Sequence, residues 1–182
     1  GGAFGSDTDG DGKTTVESLQ GGDVACGDIV SYFVELVVQG DGTDDPQTIQ
    51  LTNTFLADAT GQSGAGLTDV VNVVIDPADP AQSNDGDSTV TVIDEGIDAN
   101  GGAPYDNDGV ALNGGADSTY VTYQVDGLEA DETVIVRIDV LLECEANESP
   151  TGNLQGNLTE ADIVAINDGN VIDPDAVAGG NQ

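Results

Sequence analysis

Alternation of apolar and polar residues constrains this chain more than any other feature. In ETVIVRIDVLLEC (132–144) every second residue from Val134 to Cys144 falls on one side of a period-2 pattern. Such a pattern is typical of a strand with one face buried. Six further segments alternate: DIVSYFVELVVQ (28–39), QTIQLTNTF (47–55), LTDVVNVVI (67–75), STVTV (88–92), TYVTYQV (119–125) and, more weakly, TEADIVAI (159–166). The sequence therefore predicts an all-β chain.

The same alternation predicts which side chains face the core. In 28–39 the inward residues are Val30, Tyr32, Val34, Leu36 and Val38. In 47–55 the pattern places Ile49, Leu51 and Phe55 inward and Thr48, Gln50, Thr52 and Thr54 outward. In 67–75 it places Leu67, Val71, Val73 and Ile75 on one side.

Short segments rich in Gly, Asp, Asn and Pro separate the strands, as in QGDGTDDP, DPADP and NDGN. Strands at this spacing predict a β-sandwich. We expect an N-terminal arm at 1–21 and a single sandwich domain at 22–182. The stretch 94–118 is poor in strand signals, so we expect a long acidic loop insertion at about 76–118. An acidic tail is expected at about 167–182.

The charge balance excludes several classes of partner. The chain has 35 acidic residues against two basic ones, Lys13 and Arg137, and a formal net charge of −33. Nucleic-acid binding needs Lys and Arg for the phosphates, so it is not expected. An anionic membrane surface would repel the chain, and no apolar run reaches the roughly 20 residues of a membrane span. Because methionine is absent, we expect a leader or an initiator residue to have been removed ahead of Gly1.

Cys26 and Cys144 are the only cysteines. Without histidine a zinc site built on two cysteines is improbable, and a redox pair is more often C-x-x-C. The pattern therefore favours a structural disulfide and an oxidising, extracellular location. Both residues are in phase with inward positions, so both sulfurs are expected to point into the core.

A calcium loop is the first candidate site. SDTDGDGKTTVESL (6–19) resembles the D-x-D-x-D-G loops of EF-hands and dockerins. Asp7, Asp9 and Asp11 match the first three ligand positions, and Lys13 would offer its backbone carbonyl. Glu17 falls one residue before the position of the bidentate acid. The predicted site is a calcium loop without flanking helices; the alternative is a solvated acidic turn.

A second calcium site is expected in the acidic stretch 84–108. Hard carboxylate ligands at short spacing suit Ca²⁺ better than a transition metal. The ligand grouping cannot be read from spacing alone, and a bare acidic loop is the alternative. The candidate ligands are Asp85, Asp87, Asp94, Asp98, Asp106 and Asp108.

Two sequons, Asn147-Glu148-Ser149 and Asn157-Leu158-Thr159, fit the acceptor pattern for N-glycosylation. Enzymatic activity is not expected. The chain has no histidine base and no G-x-S-x-G motif, and its seven aromatic residues leave few to line a sugar cleft.

A family resemblance adds to this interpretation. GDIVSYFVELVVQGDGTDDPQTIQLTNTF (27–55), VDGLEADETVIVRIDVLL (125–142) and AINDGNVIDPDAVAGGNQ (165–182) resemble the conserved-repeat domain of unknown function found in bacterial and archaeal surface proteins. In the second segment Ala130 stands where that family has a turn glycine. The resemblance implies an immunoglobulin-like sandwich in an extracellular structural or adhesive protein, and it implies no catalytic residues.

The expected function is a structural subunit of an extracellular filament, tube or surface layer. It would polymerise with other copies of itself by head-to-tail strand addition. Phe4, the one large apolar side chain in GGAFGS, would fill a pocket on the next subunit. Val171, Ile172 and Val177 of the C-terminal tail form a rival donor. The alternative function is a monomeric calcium-dependent adhesion or carbohydrate-binding module, with cell-surface glycans as its ligands.

Overall fold

The structure is a computed structural model that describes residues 24–38, 47–56, 65–76, 86–98, 118–144, 154, 156–164 and 171–173. Within these ranges the chain forms eight strands and no helix, which confirms the all-β prediction. The strands are β1 (Ile29–Val37), β2 (Gln47–Leu56), β3 (Ala65–Ile75), β4 (Thr89–Asp98), β5 (Ser118–Leu128), β6 (Thr133–Cys144), β7 (Gly156–Val164) and β8 (Val171–Asp173). The last of these was not expected.

The strands form two antiparallel sheets that face each other, as in a β-sandwich. One sheet has the order β1-β6-β3 and the other the order β4-β5-β2-β7-β8. Their facing sides share one apolar core, in which Val136, Ile138 and Val140 of the smaller sheet meet Leu51 and Tyr123 of the larger one, all of them fully buried. Burial of these side chains is the main favourable term in the stability of the fold.

Aromatic packing closes one side of the sandwich. The rings of Tyr32 on β1 and Phe55 on β2 lie 4.8 Å apart between centroids, and the Tyr32 hydroxyl donates to the Leu154 carbonyl at 3.3 Å. Gly156 at the start of β7 permits this contact, since a Cβ there would lie 2.8 Å from the Tyr32 ring. Burial raises the pKa of Tyr32, which keeps the phenol neutral.

The predicted inward residues of β1 and β6 are buried or half-buried, but Ile135 and Asp139 on the other face of β6 are buried too, at 3% and 9% exposure, and β2 is buried on both sides. Thr48 and Thr52 face away from the core and are only 3% and 2% exposed. Their hydroxyls bond to neighbours in the same sheet, Thr48 to Asp126 at 2.8 Å and Thr52 to Thr122 at 2.9 Å. Alternation alone does not predict that the polar face of β2 is buried, because the side chains that cover this face belong to other strands.

The predicted face of β3 is wrong in one residue. The register against β6 shifts between Leu67 and Asp69 and again between Val70 and Asn72. Each bulge adds a residue and reverses the phase of the residues after it. Val70 therefore faces the core at 8% exposure, whereas Val71 is 44% exposed.

The strand-poor region begins later than expected. β4 continues past the predicted end at Val92 and runs to Asp98. Its register against β5 shifts between Val92 and Asp94, after which pairing resumes as far as Asp98 and Ser118. Asp94 and Asp98 therefore lie on a strand and not in a loop. β4 is the edge strand of its sheet, so the exposed carboxylates of Asp94 and Glu95 can stay in water while the backbone pairs with β5.

The β5–β6 turn places its left-handed residue one position later than the resemblance suggests. Asp131 has a φ of 67°, and Ala130 is not among the non-glycine residues with positive φ. Aspartate tolerates this conformation better than most residues because its short side chain bonds locally. Alanine at position 130 therefore carries no strain of this kind. The Glu132 carboxylate accepts the Glu129 backbone N–H at 2.8 Å and closes the turn.

The disulfide is confirmed, but it lies at the rim of the core. Cys26 and Cys144 are joined, with 5.6 Å between their Cα atoms. Cys26 is exposed and Cys144 half-buried, so the prediction that both sulfurs point into the core is wrong. The cause is a turn ahead of β1. Gly27, at a φ of 88°, breaks the strand phase there, and its N–H donates to the Leu142 carbonyl at 2.7 Å.

Candidate functional site

Most of the predicted calcium ligands lie outside the described residues. These are Asp7, Asp9, Asp11, Lys13 and Glu17 of the first candidate, and Asp85, Asp106 and Asp108 of the second. Phe4 and the sequon residue Asn147 lie outside them as well. The structure describes Asp87 and Asp94 in full and the backbone of Asp98.

Asp87 and Asp94 do not share an ion. Asp87 immediately precedes Ser88 and the start of β4, whereas Asp94 is in the middle of that strand. Seven residues of extended chain span about 23 Å, well beyond the reach of one coordination sphere. In the part of the chain that the structure describes, no three ligating side chains come together in a way that could hold a metal ion.

Asp94 has an ordered setting of its own. Its Oδ2 accepts the Tyr120 hydroxyl at 3.1 Å, and its Oδ1 accepts the Glu95 backbone N–H at 3.0 Å. The side chain is exposed. Asp98 follows at the end of β4, where residues 99–117 begin the connection to β5. Any ion held by Asp94 would need its other ligands from outside the described residues.

The outer face of the smaller sheet carries an ion-pair network centred on Asp139. Its carboxylate accepts the Ser31 hydroxyl at 2.6 Å and the Asn72 amide at 3.2 Å, so it links β1, β6 and β3. Arg137 Nε lies 3.1 Å from Asp139 Oδ1 and Arg137 Nη1 lies 3.6 Å from Asp76 Oδ2. The Nε–H does not point at the carboxylate oxygen, so that contact is an ion pair without a formal hydrogen bond. One of the two basic side chains of the chain thus lies between two carboxylates.

A buried hydrogen bond fixes the core of the larger sheet. Tyr123 is fully buried, and its hydroxyl donates to Asn53 Oδ1 at 2.9 Å. The Asn53 amide in turn donates to the Asn157 carbonyl on β7 at 3.3 Å. Burial raises the pKa of Tyr123. The network ties β5, β2 and β7 together, and the alternation that placed Tyr123 inward gave no sign of its partner.

The sequon at Asn157 lies on a strand. Asn157 is half-buried on β7 and pairs with Thr54 of β2. The hydroxyl of Thr159, the third sequon residue, donates to the Thr52 carbonyl at 3.0 Å. A glycan on Asn157 would therefore have to be attached before β7 pairs with β2, or project from the face of the sheet without disturbing that pairing.

On the side of the sandwich opposite the Tyr32–Phe55 contact, no described strand joins the two sheets. There β3 and β4 lie next to each other, and each pairs with one neighbour, β6 and β5 respectively. A cleft of about 300 Å³ between them is lined by Val70, Val71, Asn72, Val73, Val92 and Glu95. Two exposed aliphatic side chains, Val71 and Val92, line this cleft, and two more, Ile93 and Ile97, are exposed further along β4; the four are 41% to 56% exposed. We call this surface the open edge.

Sequence reasoning did not predict the open edge. The sequence shows the apolar residues themselves: Val71 stands in an apolar run, and Val92 and Ile93 come just before Asp94 and Glu95. Their exposure arises from the bulges of β3 and from the position of β4 at the end of its sheet. Neither can be read from one strand alone. An apolar cluster of this kind marks an interaction surface more often than isolated exposed residues do.

Comparison of the chain with protein-family models, with curated proteins and with solved structures gives no match. The described residues also include no helix with the length and apolar character needed to cross a membrane.

Proposed function

We propose that this chain is a structural subunit of an extracellular filament, tube or surface layer, which polymerises by head-to-tail strand addition and is stabilised by calcium. The observation that carries the proposal is the open edge. β3 and β4 expose four aliphatic side chains, two of them at the cleft, in a molecule with a formal net charge of −33. Natural monomers normally protect such edges, whereas a polymer covers them. The proposal assigns the chain no catalytic activity.

The strand order supports an immunoglobulin-like fold. The order β1-β6-β3 matches strands B, E and D of that fold, and β2, β7 and β8 match C, F and G, both in pairing and in chain order. β4 and β5 are then an insertion between D and E that widens the second sheet beside β2. On this assignment the insertion consists of β4, β5 and the acidic connection between them. It ends near Leu128, later than the end at about 118 that the sequence predicts.

The disulfide supports an extracellular location. A cross-link between residues 118 positions apart persists in oxidising compartments and is rare in the cytosol. Calcium is proposed on the carboxylates of Asp7, Asp9 and Asp11 and on those of the 85–108 stretch. Two like charges about 4 Å apart repel by roughly 4 kcal/mol at an effective dielectric of about 20. Cations would relieve that repulsion within and between subunits.

Deletion of residues 1–20 tests the proposal. The full chain is expected to polymerise in calcium, and the truncated chain is expected to remain a folded, disulfide-bonded monomer. Both are imaged by negative-stain electron microscopy after the disulfide is verified by mass spectrometry. Polymers of the truncated protein would refute donation by the N-terminal arm. A full chain that binds calcium but stays monomeric would support the adhesion or carbohydrate-binding alternative.

A further inference from the structure

We infer that the open edge is the acceptor surface of the polymer and that it takes residues 1–6 of a second copy as an added strand on β4, with Phe4 in the cleft between β4 and β3. The inference rests on the proposed polymerisation and names the two surfaces that meet in it. β-Strand addition of this kind draws its affinity from backbone hydrogen bonds and its specificity from side-chain pockets.

Among the described edges, the open edge differs from β1 and β8 in having a long edge strand beside a cleft. β4 has ten residues and pairs on one side with β5. β8, the other end of the same sheet, has three residues. On the opposite side of the sandwich the space between the sheets is filled by Tyr32, which packs on Phe55 and against Gly156. β3, the edge strand of the smaller sheet, has eleven residues and lines the same cleft, but two bulges interrupt its pairing with β6, against one in the pairing of β4 with β5. Of the two described edges beside the cleft, β4 is therefore the more regular template for an added strand.

The cleft has room for one large side chain. Four valines line it together with Asn72 and Glu95, so it offers an apolar wall beside polar groups, and its volume of about 300 Å³ is at the lower end of the range for ligand pockets. Val71 and Val92 at its mouth are 44% and 41% exposed, so an inserted ring would remove apolar surface from water on both partners. Phe4 is the one large apolar residue in the first fifteen of the chain.

Charge selects the donor. Asp94 and Glu95 lie exposed on β4, and like charges on neighbouring strands are destabilising. Residues 1–6, Gly-Gly-Ala-Phe-Gly-Ser, carry no ionisable side chain. The rival donor at the C-terminus carries Asp173 and Asp175. Its residues Val171–Asp173 also form β8, which already pairs with β7.

Charged substitutions in the cleft provide the first test. Val71→Asp and Val92→Asp place a carboxylate where Phe4 would enter, and both positions are exposed enough to spare the fold. Ile29→Asp and Val37→Asp are matched controls, at 56% and 59% exposure on β1. In calcium, we expect the cleft variants to raise the critical concentration for polymerisation by at least about tenfold, because an unpaired buried charge is costly, and the controls to stay near wild type. Equal effects in all four variants, or no effect in the cleft, would overturn the assignment.

A cross-linking experiment locates the donor directly. Phe4→p-benzoylphenylalanine is introduced into the full chain, and ¹⁵N-labelled and unlabelled proteins are mixed before photolysis in calcium. We expect cross-links between labelled and unlabelled chains that map to 70–73 or 92–95. Interchain cross-links elsewhere would overturn the open edge as acceptor and leave polymerisation intact. Cross-links confined to single, monomeric chains would overturn the second-copy donor, and the proposed function would fail with it.

Discussion

At the residue scale, the hydrogen bond from Tyr123 to Asn53 is the clearest buried polar contact. Tyr123→Phe removes the hydroxyl and leaves Asn53 Oδ1 buried without that donor. We expect the free energy of unfolding to fall by about 1–3 kcal/mol, the usual cost of a buried group that loses its partner. Urea denaturation in calcium measures the change.

Tyr120→Phe is the matched control for this prediction. The Tyr120 hydroxyl donates to Asp94, whose carboxylate is exposed and can bond to water instead. Its loss should cost less than about 1 kcal/mol. A Tyr123→Phe variant no less stable than Tyr120→Phe would contradict the role assigned to the buried bond.

The guanidinium of Arg137 forms ion pairs with two carboxylates at the smaller sheet. Arg137→Gln leaves the largely buried carboxylates of Asp76 and Asp139 without their cation. The expected loss is about 1–3 kcal/mol, between the values for exposed and for buried ion pairs, and it should shrink in molar NaCl. Thr91→Glu changes the net charge by the same amount at an exposed position of β4 and is expected to cost less than about 0.5 kcal/mol. Equal losses in the two variants would mean that net charge alone matters, and the network does not.

At the scale of elements, the disulfide behaves as an exposed tether. Because Cys26 is exposed in its turn, a thiol reductant should open the bond in the folded protein without denaturant. The link closes a loop of 118 residues, so its loss should lower the free energy of unfolding by up to about 5 kcal/mol in the chain-entropy model. Alkylation followed by mass spectrometry measures reduction, and urea denaturation measures the loss. A bond that resists reduction until the protein unfolds would contradict this placement.

The strands themselves could be predicted from alternation, because a half-buried strand needs period-2 hydrophobicity whatever its partners are. The exceptions arise where the pairing of a strand with its neighbours determines which side chains are buried. Val71 is exposed because two bulges change the register of β3 against β6. Thr52 is buried because β2 lies between β5 and β7. Cys26 is exposed because Gly27 turns the chain before β1. These facts depend on register and sheet order, which one strand does not encode.

The candidate site could be predicted only in part, for a related reason. Carboxylate spacing in 84–108 suggested a shared ion but not which residues converge. Asp87 precedes β4 and Asp94 lies in the middle of it, and the extended pairing of β4 with β5 holds the two apart. The open edge was invisible because it is made by two strands from different sheets. The disulfide could be predicted because two cysteines in an otherwise cysteine-free chain leave one pairing within it.

At the scale of the whole molecule, the net charge of −33 makes stability depend on cations. Calcium at 100 times its dissociation constant adds about 2.7 kcal/mol per site, so we expect a higher melting temperature in calcium than in EDTA at low salt. EDTA with molar NaCl separates binding from screening. An unchanged melting temperature in EDTA would contradict calcium binding, and full restoration by NaCl would mean that screening suffices.

Negative-stain electron microscopy across a calcium titration at low salt decides whether the full chain polymerises. We predict regular filaments, tubes or sheets above a critical protein concentration, with loss of order on addition of EDTA. Separate particles of single-subunit size at every calcium and protein concentration would contradict it.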